Sequence, residues 1–204
     1  MTGSEHTGAV PHTDSLPQEF FARDSLRVAR DLLGCRVSHG GVTVRLTEVE
    51  AYSGAADPGS HAFLGRSPRN EVMFGPAGRL YVYFTYGMHF CANVVCGDVG
   101  VASAVLLRGL TPLAGLDDMR ALRIKARRDR ELCAGPGRLC QAFGLDRTFD
   151  GADLVTGDRG VTVVDDGTPP PAVAGVSVRV GLTTGAEFPW RYYVPGAAGL
   201  SRRG

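Results

Sequence analysis

Two glutamates, Glu48 and Glu50, lie near the end of a segment in which apolar and polar residues alternate from Val42 to Glu50. Residues two apart in a strand share a face, so strict alternation places both carboxylates on the apolar face. A carboxylate there is costly unless it has a partner or lies at the mouth of a cavity. Glu50 would lie where this face opens into a glycine-rich loop, which suits a general base. The alternative is a bulge at Val49 that turns both carboxylates toward water or an arginine.

Aromatic side chains are dense in the following segment, from Tyr52 to Phe90. Residues 80–86 and 88–96 have the aromatic and β-branched composition of strands. Alternation places on one face of the first strand Tyr81, Tyr83 and Thr85. Such strands are usually ordinary core, but beside a carboxylate and a polar loop their rings could form a stacking pocket for a flat ring system. Tyr86, at the turn, offers a ring of the shape that wedges between DNA bases.

The charged residues are nearly balanced. The chain has 22 lysine and arginine residues against 21 acidic residues, so no global field attracts it to nucleic acid. Six cations nevertheless lie between Arg120 and Arg130, where Asp129 is the only acid and Lys125 is the sole lysine of the chain. Such a run is usually the solvated face of a helix, and contact with DNA phosphates is the alternative.

Five cysteines, an odd number, occur in a chain whose N-terminal residues lack the apolar core of a secretory signal. We therefore expect reduced thiols in the cytoplasm, most of them as small core residues. Their spacing is not the C-x2-C pair of a zinc site. A metal hydrolase that uses Cys91, Cys96, His61 and His89 is one alternative function.

Helices and strands must together position these residues. Capping and periodicity predict helices over Ser25–Leu33 and over 136–143. Alternation predicts a late strand over 176–182. Residues 53–79 have the composition of a long loop, which is usually either functional or poorly ordered. Hairpin signals and an excess of strands predict an α+β fold with a mixed, mainly antiparallel sheet and flanking helices.

A length of 204 residues fits a single compact domain. We expect residues 1–18 to be a disordered tail and residues 19–204 to be the domain. No apolar run approaches the ~20 residues that a membrane span needs.

An ordered set of motifs runs along the chain. It comprises Glu50-Ala51-Tyr52, His61, Ser67-Pro68-Arg69-Asn70, Met73-Phe74, Leu80-Tyr81-Val82-Tyr83, Tyr86-Gly87-Met88, Phe90-Cys91-x-Asn93, Leu106-Leu107-Arg108 and Gly135-Pro136-x-x-Leu139-Cys140. In order and spacing, from about Asp24 to Ser201, this set resembles the 3-methyladenine DNA glycosylases of the alkyladenine (alkylpurine) type. Any one tripeptide is weak, but the ordered set is specific.

The resemblance implies a monofunctional enzyme of DNA repair. It would flip alkylated purines, and deaminated or etheno purines as further candidates, out of double-stranded DNA and hydrolyse the N-glycosidic bond, leaving an abasic site. A cationic alkylated base needs little acid help to leave, so one carboxylate and an activated water suffice and no cofactor or metal is required. We expect a monomer that works in the cytoplasm at the nucleoid and does not bind membranes.

The resemblance also implies roles for individual residues. Glu50 would be the general base, and Arg108 would hold the attacking water and a nearby phosphate. Tyr52, His61 and Tyr83 would contact the flipped base, and Asn93 would disfavour the 2-amino group of guanine. Tyr86, at the tip of a protruding hairpin, would fill the gap left in the duplex. Arg69 and Met88 would contact the DNA backbone.

Some positions depart from the family's pattern. His89 stands where a tyrosine is familiar, which leaves substrate preference open there. Residues 196–201 replace a segment that often carries Asn or Ser followed by Pro, so we assign no DNA contact to them. Because Lys125 is distant in sequence from the pocket motifs, strand cleavage through a Schiff base is not expected.

Two further functions compete with glycosidic hydrolysis. A non-catalytic nucleic-acid binder could use the same aromatic and arginine side chains without needing Glu50. A peptide- or nucleotide-modifying enzyme could share the fold, since fold alone does not fix function.

Overall fold

One antiparallel sheet of eight strands is the framework of the computed structural model, which describes residues 15–85 and 87–202. Its strands are β1 (Arg36–His39), β2 (Val42–Ser53), β3 (Leu80–Thr85), β4 (His89–Cys96), β5 (Ser103–Ala114), β6 (Thr162–Val164), β7 (Gly175–Ser177) and β8 (Arg191–Tyr193). Its α-helices are α1 (Gln18–Phe21), α2 (Ser25–Asp31), α3 (Leu116–Leu122) and α4 (Pro136–Phe143). Single 3₁₀ turns cover Gly54–Ala56, Glu71–Phe74, Asp129–Glu131 and Arg147–Phe149.

The long strand β2 is central to the sheet. β5 pairs along one edge of β2, and beyond it lie β4 and then β3. On the other edge β1 pairs with the first part of β2 and β8 with the later part, and these carry β6 and β7 respectively. Antiparallel strands flanked by a few helices in one domain confirm the predicted α+β class.

A bulge decides where the side chains at the end of β2 point. The register with β5 shifts between Leu46 and Glu48 and again between Glu48 and Val49. Thr47 in β2 and Arg108 in β5 are the residues without a direct opposite. The core therefore includes Val44 and Leu46 before the bulge, but Val49 and Ala51 after it. Strict alternation is thus wrong here. The alternative, a bulge that turns both glutamates toward arginine, is confirmed, but the unpaired residue of β2 is Thr47 and not Val49.

The predicted helices are confirmed where caps define them. The Asp24 side chain accepts the N–H groups of Leu26 and Arg27 at the start of α2. Helix α4 covers the predicted residues, and Gly144 follows it with φ 66°. The basic run is only partly helical, because α3 ends at Leu122.

The strand predicted over 176–182 is wrong beyond Ser177. Val176 and Val178 are about half exposed, whereas Arg179 between the apolar residues is buried. The reason is that Arg179 donates to the backbone oxygen of Ala51 at 3.0 Å, which draws this segment across the end of β2 instead of along a neighbouring strand.

Only the last four residues of the predicted tail, 15–18, belong to the described part of the chain. Residues 1–14 lie outside the described residues. Leu16 is buried and its N–H donates to Val163 O at 2.8 Å, so residues 15–18 dock on the domain.

The predicted hairpin corresponds to β3 and β4, which pair as far as Thr85 opposite His89. Tyr86 itself lies outside the described residues, so a hairpin that protrudes into DNA stays a prediction. Within residues 15–85 and 87–202, none of the helices has the length and apolar character to cross a membrane.

Candidate active site

Glu50 is fully buried where β2 lies between β5 and β8. Its Oε1 accepts a hydrogen bond from the Val180 N–H at 2.7 Å. Its Oε2 accepts from the Tyr52 hydroxyl at 3.1 Å and from Arg108 Nη1 at 3.2 Å. These donors supply what a buried carboxylate needs to remain ionised.

Glu48 joins the buried arginines to one another. Its Oε1 accepts from Arg108 Nε at 3.0 Å, from Arg191 Nε at 2.8 Å and from the Ser201 hydroxyl at 2.6 Å. Its Oε2 accepts the Ser201 N–H at 2.5 Å. With Glu50, the cluster contains two carboxylates and two guanidiniums, so its buried charges balance.

The surroundings push the two carboxyl groups in opposite directions. Burial raises the pKa of Glu50, although the charge of Arg108 and two hydrogen bonds oppose it. Burial also acts on Glu48, but hydrogen bonds from Arg191 and Ser201, with the charge of Arg108, outweigh it and lower the Glu48 pKa. Glu48 is therefore a fixed anion, whereas Glu50 is the carboxylate better able to accept a proton.

An open aromatic pocket adjoins this cluster, and the space within it and at its mouth is about 370 Å³. The four predicted pocket residues, Tyr52, His61, Tyr83 and Asn93, all line it. The Tyr81 and Tyr83 rings stack with centroids 5.3 Å apart, and the His61 ring meets Tyr83 edge-on at 4.5 Å. Tyr52 lines the pocket and also donates to Glu50, so it links the pocket to the carboxylate.

The polar groups of the pocket are fixed by short contacts. His61 Nδ1 lies 3.0 Å from the Tyr81 hydroxyl, and burial, with the charge of Arg69, lowers the His61 pKa. The imidazole is therefore neutral at pH 7. Asn93 Nδ2 donates to the Tyr81 backbone oxygen at 3.2 Å. Asn70 fixes the backbone of the loop that contains His61, because its Nδ2 donates to His61 O at 2.8 Å.

Sequence patterns missed a buried ion pair beside the pocket, between Arg179 and Asp57. Arg179 and Asp57 are completely buried and form a two-pronged pair with N–O distances of 2.5 and 2.7 Å. The Arg179 guanidinium also lies 4.6 Å from the centroid of the Tyr52 ring and 5.0 Å from that of Trp190. The only signal in the sequence was an arginine at a polar position of the alternating segment 176–182, and an ordinary strand with one polar face would show the same pattern.

The two residues predicted to contact the DNA backbone, Arg69 and Met88, lie apart from the buried cluster of glutamates and arginines. Arg69 is 5.6 Å from the centroid of the Tyr83 ring, at the aromatic pocket. Met88 is 70% exposed and lines a groove with His89, Ile124 and Lys125. The role predicted for Tyr86 falls on a residue outside those described.

The cysteine predictions concern the core. All five cysteines are free and buried, which confirms them as core residues. Among residues 15–85 and 87–202, no three His, Cys, Asp or Glu side chains gather in a group that could hold a metal ion. The four residues named for a metal hydrolase therefore do not form a ligand set.

Comparison with known proteins agrees with this arrangement. Residues 19–198 match the methylpurine-DNA glycosylase family. A Burkholderia lata protein named "Putative 3-methyladenine DNA glycosylase" is 50% identical over 182 residues, 89% of this chain and 88% of the relative. Proteins of the same name from Streptomyces avermitilis and Carboxydothermus hydrogenoformans are 48% and 42% identical, covering 91% and 92% of this chain and 90% and 99% of the relatives.

The match spans most of the chain and includes the buried glutamates, the arginine beside them and the aromatic pocket. The resemblance inferred from the motifs is thereby confirmed. The chain belongs to the methylpurine-DNA glycosylase family, whose enzymes hydrolyse N-glycosyl bonds.

Proposed function

We propose that this enzyme flips alkylated purines out of double-stranded DNA and hydrolyses their N-glycosidic bond, leaving an abasic site. The observation that carries the proposal is the contact between Tyr52, in the wall of the aromatic pocket, and the buried Glu50. A base held against Tyr52 would bring its sugar toward the carboxylate. The names of the relatives support alkylated adenine as the substrate class.

The pocket suits a flat and cationic ring. A base inside a duplex is out of reach of an enzyme, and flipping it costs a few kcal/mol, least for a damaged base. Stacking on Tyr52 and Tyr83 offsets part of that cost. Alkylation at N3 or N7 gives the purine a positive charge, which electron-rich rings favour over a neutral base. Asn93, at the pocket wall, is proposed to discriminate against the 2-amino group of guanine.

The chemistry uses one water and one base. Glu50 accepts a proton from a water whose oxygen forms a bond to C1′ of the sugar. The C1′–N bond breaks, and its electron pair leaves with the alkylated base, which departs neutral. The Glu50 carboxylate also stabilises the positive charge that develops on the sugar. Arg108, bonded to Glu50, is proposed to orient the water.

Strand cleavage is not part of the proposal. Lyase chemistry requires an amine that can form a Schiff base with the sugar. Lys125 is exposed in the groove beside Met88 and Ile124, away from the pocket that contains Tyr52. The enzyme is proposed to act as a monomer in the cytoplasm, with double-stranded DNA as its partner. Neutral hypoxanthine and ethenoadenine need more help to leave than 3-methyladenine, so they belong in the assay as separate substrates.

The replacement Glu50→Gln tests the proposal. It keeps the shape of the side chain and removes its basicity, so single-turnover excision of 3-methyladenine should fall by about 10²–10⁴-fold. Binding of lesion DNA should change by about tenfold or less, because flipping does not need the carboxylate. Excision is measured on duplexes that carry defined lesions, and binding is measured by titration.

The matched control is Glu19→Gln, at an exposed position of α1. It should retain full excision. Glu48→Gln is not a neutral control, since Glu48 shares Arg108 with Glu50. Wild-type rates in Glu50→Gln would place the general base elsewhere, and a wild-type enzyme inactive on every lesion would overturn the proposed function.

A further inference from the structure

All three nitrogens of the Arg108 guanidinium have a partner. Nε donates to Glu48 and Nη1 to Glu50, while Nη2 donates to the Ser201 hydroxyl at 3.0 Å. Arg108 is 6% exposed, so water contributes little to holding it. The orientation of the side chain is set by these three acceptors together.

Ser201 bonds both Arg108 and Glu48 and so links the two side chains. Its hydroxyl accepts from Arg108 and donates to Glu48, and its backbone N–H donates to the other oxygen of Glu48. The following carbonyl, of Arg202, accepts from Arg191 Nη2 at 2.5 Å. Two successive residues near the end of the described chain therefore bind both buried arginines and the glutamate between them.

The C-terminal segment is seated closely on the bulge of β5. A β-carbon on Gly199 would collide with the backbone carbonyl of Leu110, and one on Gly109 would collide with the carbonyl of Gly199. Glycine at both positions allows the two backbones to touch. This contact fixes where Ser201 lies relative to Arg108.

We infer that Ser201, with Glu48 and Arg191, is a positioning group for the proposed reaction, and that it holds Arg108 to a single contact with Glu50. This inference rests on the proposed function. An arginine fork can bind a carboxylate through two parallel hydrogen bonds. Here Glu48 and Ser201 occupy the remaining nitrogens, so only Nη1 reaches Glu50, at 3.2 Å.

The single contact has a chemical consequence. A carboxylate clamped by a full guanidinium fork is a poorer base, because each charge-assisted hydrogen bond stabilises its ionised form. Keeping Arg108 on one oxygen of Glu50 leaves that carboxylate able to take a proton from water. The C-terminal segment, to which the motifs assigned no DNA contact, thereby acts on the reaction through Arg108.

The test is Ser201→Ala. Glu48 is the more obvious target, but its replacement would leave buried charges without a partner and destabilise the fold strongly, whereas Ser201→Ala removes no charge. Without the hydroxyl, single-turnover excision should fall about tenfold, the loss expected from one hydrogen bond to a charged group. Affinity for lesion DNA should stay at its wild-type value, and the protein should remain folded at the assay temperature, with a thermal midpoint only a few degrees lower because two hydrogen bonds to charged groups are lost. Ser201→Thr retains the hydroxyl and should restore most of the rate.

The control is Ser38→Ala, which removes a hydroxyl contact to Thr43 at the far end of β2 and should leave excision unchanged. A wild-type rate in Ser201→Ala would overturn the inference, as would a loss that Ser201→Thr fails to restore or that coincides with unfolding at the assay temperature. An inactive wild-type enzyme would instead defeat the proposed function, so the two failures are distinguishable.

Discussion

Two glutamates separated by one residue in β2 have different chemical characters. Glu48 accepts from Arg108, Arg191 and Ser201 and has a lowered pKa, while burial dominates at Glu50 and raises its pKa. Both side chains are completely buried, so exposure does not explain the difference in their pKa values. The difference follows from the number of hydrogen-bond donors around each carboxylate. Glu50 is therefore the residue whose protonation should control activity.

Excision should lose rate as the pH falls through the raised pKa of Glu50. A general base works only when ionised, so the rate should decline about tenfold per pH unit below that pKa and level off above it. The midpoint should lie above about 4.3, the usual value for glutamate. Single-turnover excision over a pH series measures this, with enzyme-free DNA as the control for spontaneous base loss. A rate that stays constant down to about pH 4 would contradict the prediction.

Among the structural elements, the two loops at the end of β2 depend on one ion pair. Asp57 belongs to the loop after β2, and Arg179 to the segment between β7 and β8. Arg179 also donates to Ala51 O and Gly185 O. Because Val180 follows directly and donates to Glu50, this pair helps to place one of the hydrogen bonds of the candidate base.

Asp57→Asn should destabilise the protein strongly. It leaves the Arg179 charge buried without its counter-charge, which typically costs about 3–5 kcal/mol. At roughly 2–4 °C per kcal/mol for a domain of this size, the thermal midpoint should fall by about 6–20 °C. Asp117→Asn is the matched control, since Asp117 is 96% exposed and its pair with Arg120 should matter far less. Equal midpoints for the two variants would show that the buried pair is not structural.

Across the protein as a whole, the near-zero net charge conceals local basic surface. Within the run from Arg120 to Arg130, Arg120 bonds Asp117 and Asp129, and Arg123 bonds Gln141. These two arginines serve the fold. Lys125, Arg127, Arg128 and Arg130 are exposed, and Lys125 lines the groove that contains Met88.

Binding to lesion duplexes should weaken with added salt. Log K should fall against log salt with a slope of about −0.9 for each phosphate neutralised. Replacing Lys125, Arg127 and Arg128 together by alanine should make the slope shallower by about 1 for each that contacts DNA. Arg27→Ala is the control, because Arg27 is exposed on α2, which packs on the core side of β2. An unchanged slope in the triple variant would remove this segment from the DNA surface.

Local patterns were enough to predict much of this protein. Capping residues located α2 and α4, and alternation placed Tyr81 and Tyr83 together on β3. These signals succeed because they depend on residues within a few positions of each other. The ordered motifs also identified the family and the set of residues that lines the aromatic pocket.

Tertiary structure alone decided how the charges meet. The bulge at Thr47 and Arg108 reversed the face of Glu48 and Glu50, because pairing with β5 and β8 outweighed simple alternation. Ser201 lies 93 residues from Arg108 in sequence and 3.0 Å from it in space, and Arg179 lies 122 residues from Asp57. A buried charge is stable only beside its partner, and that partner is chosen by the closure of the sheet and its loops, which no local pattern in the sequence encodes.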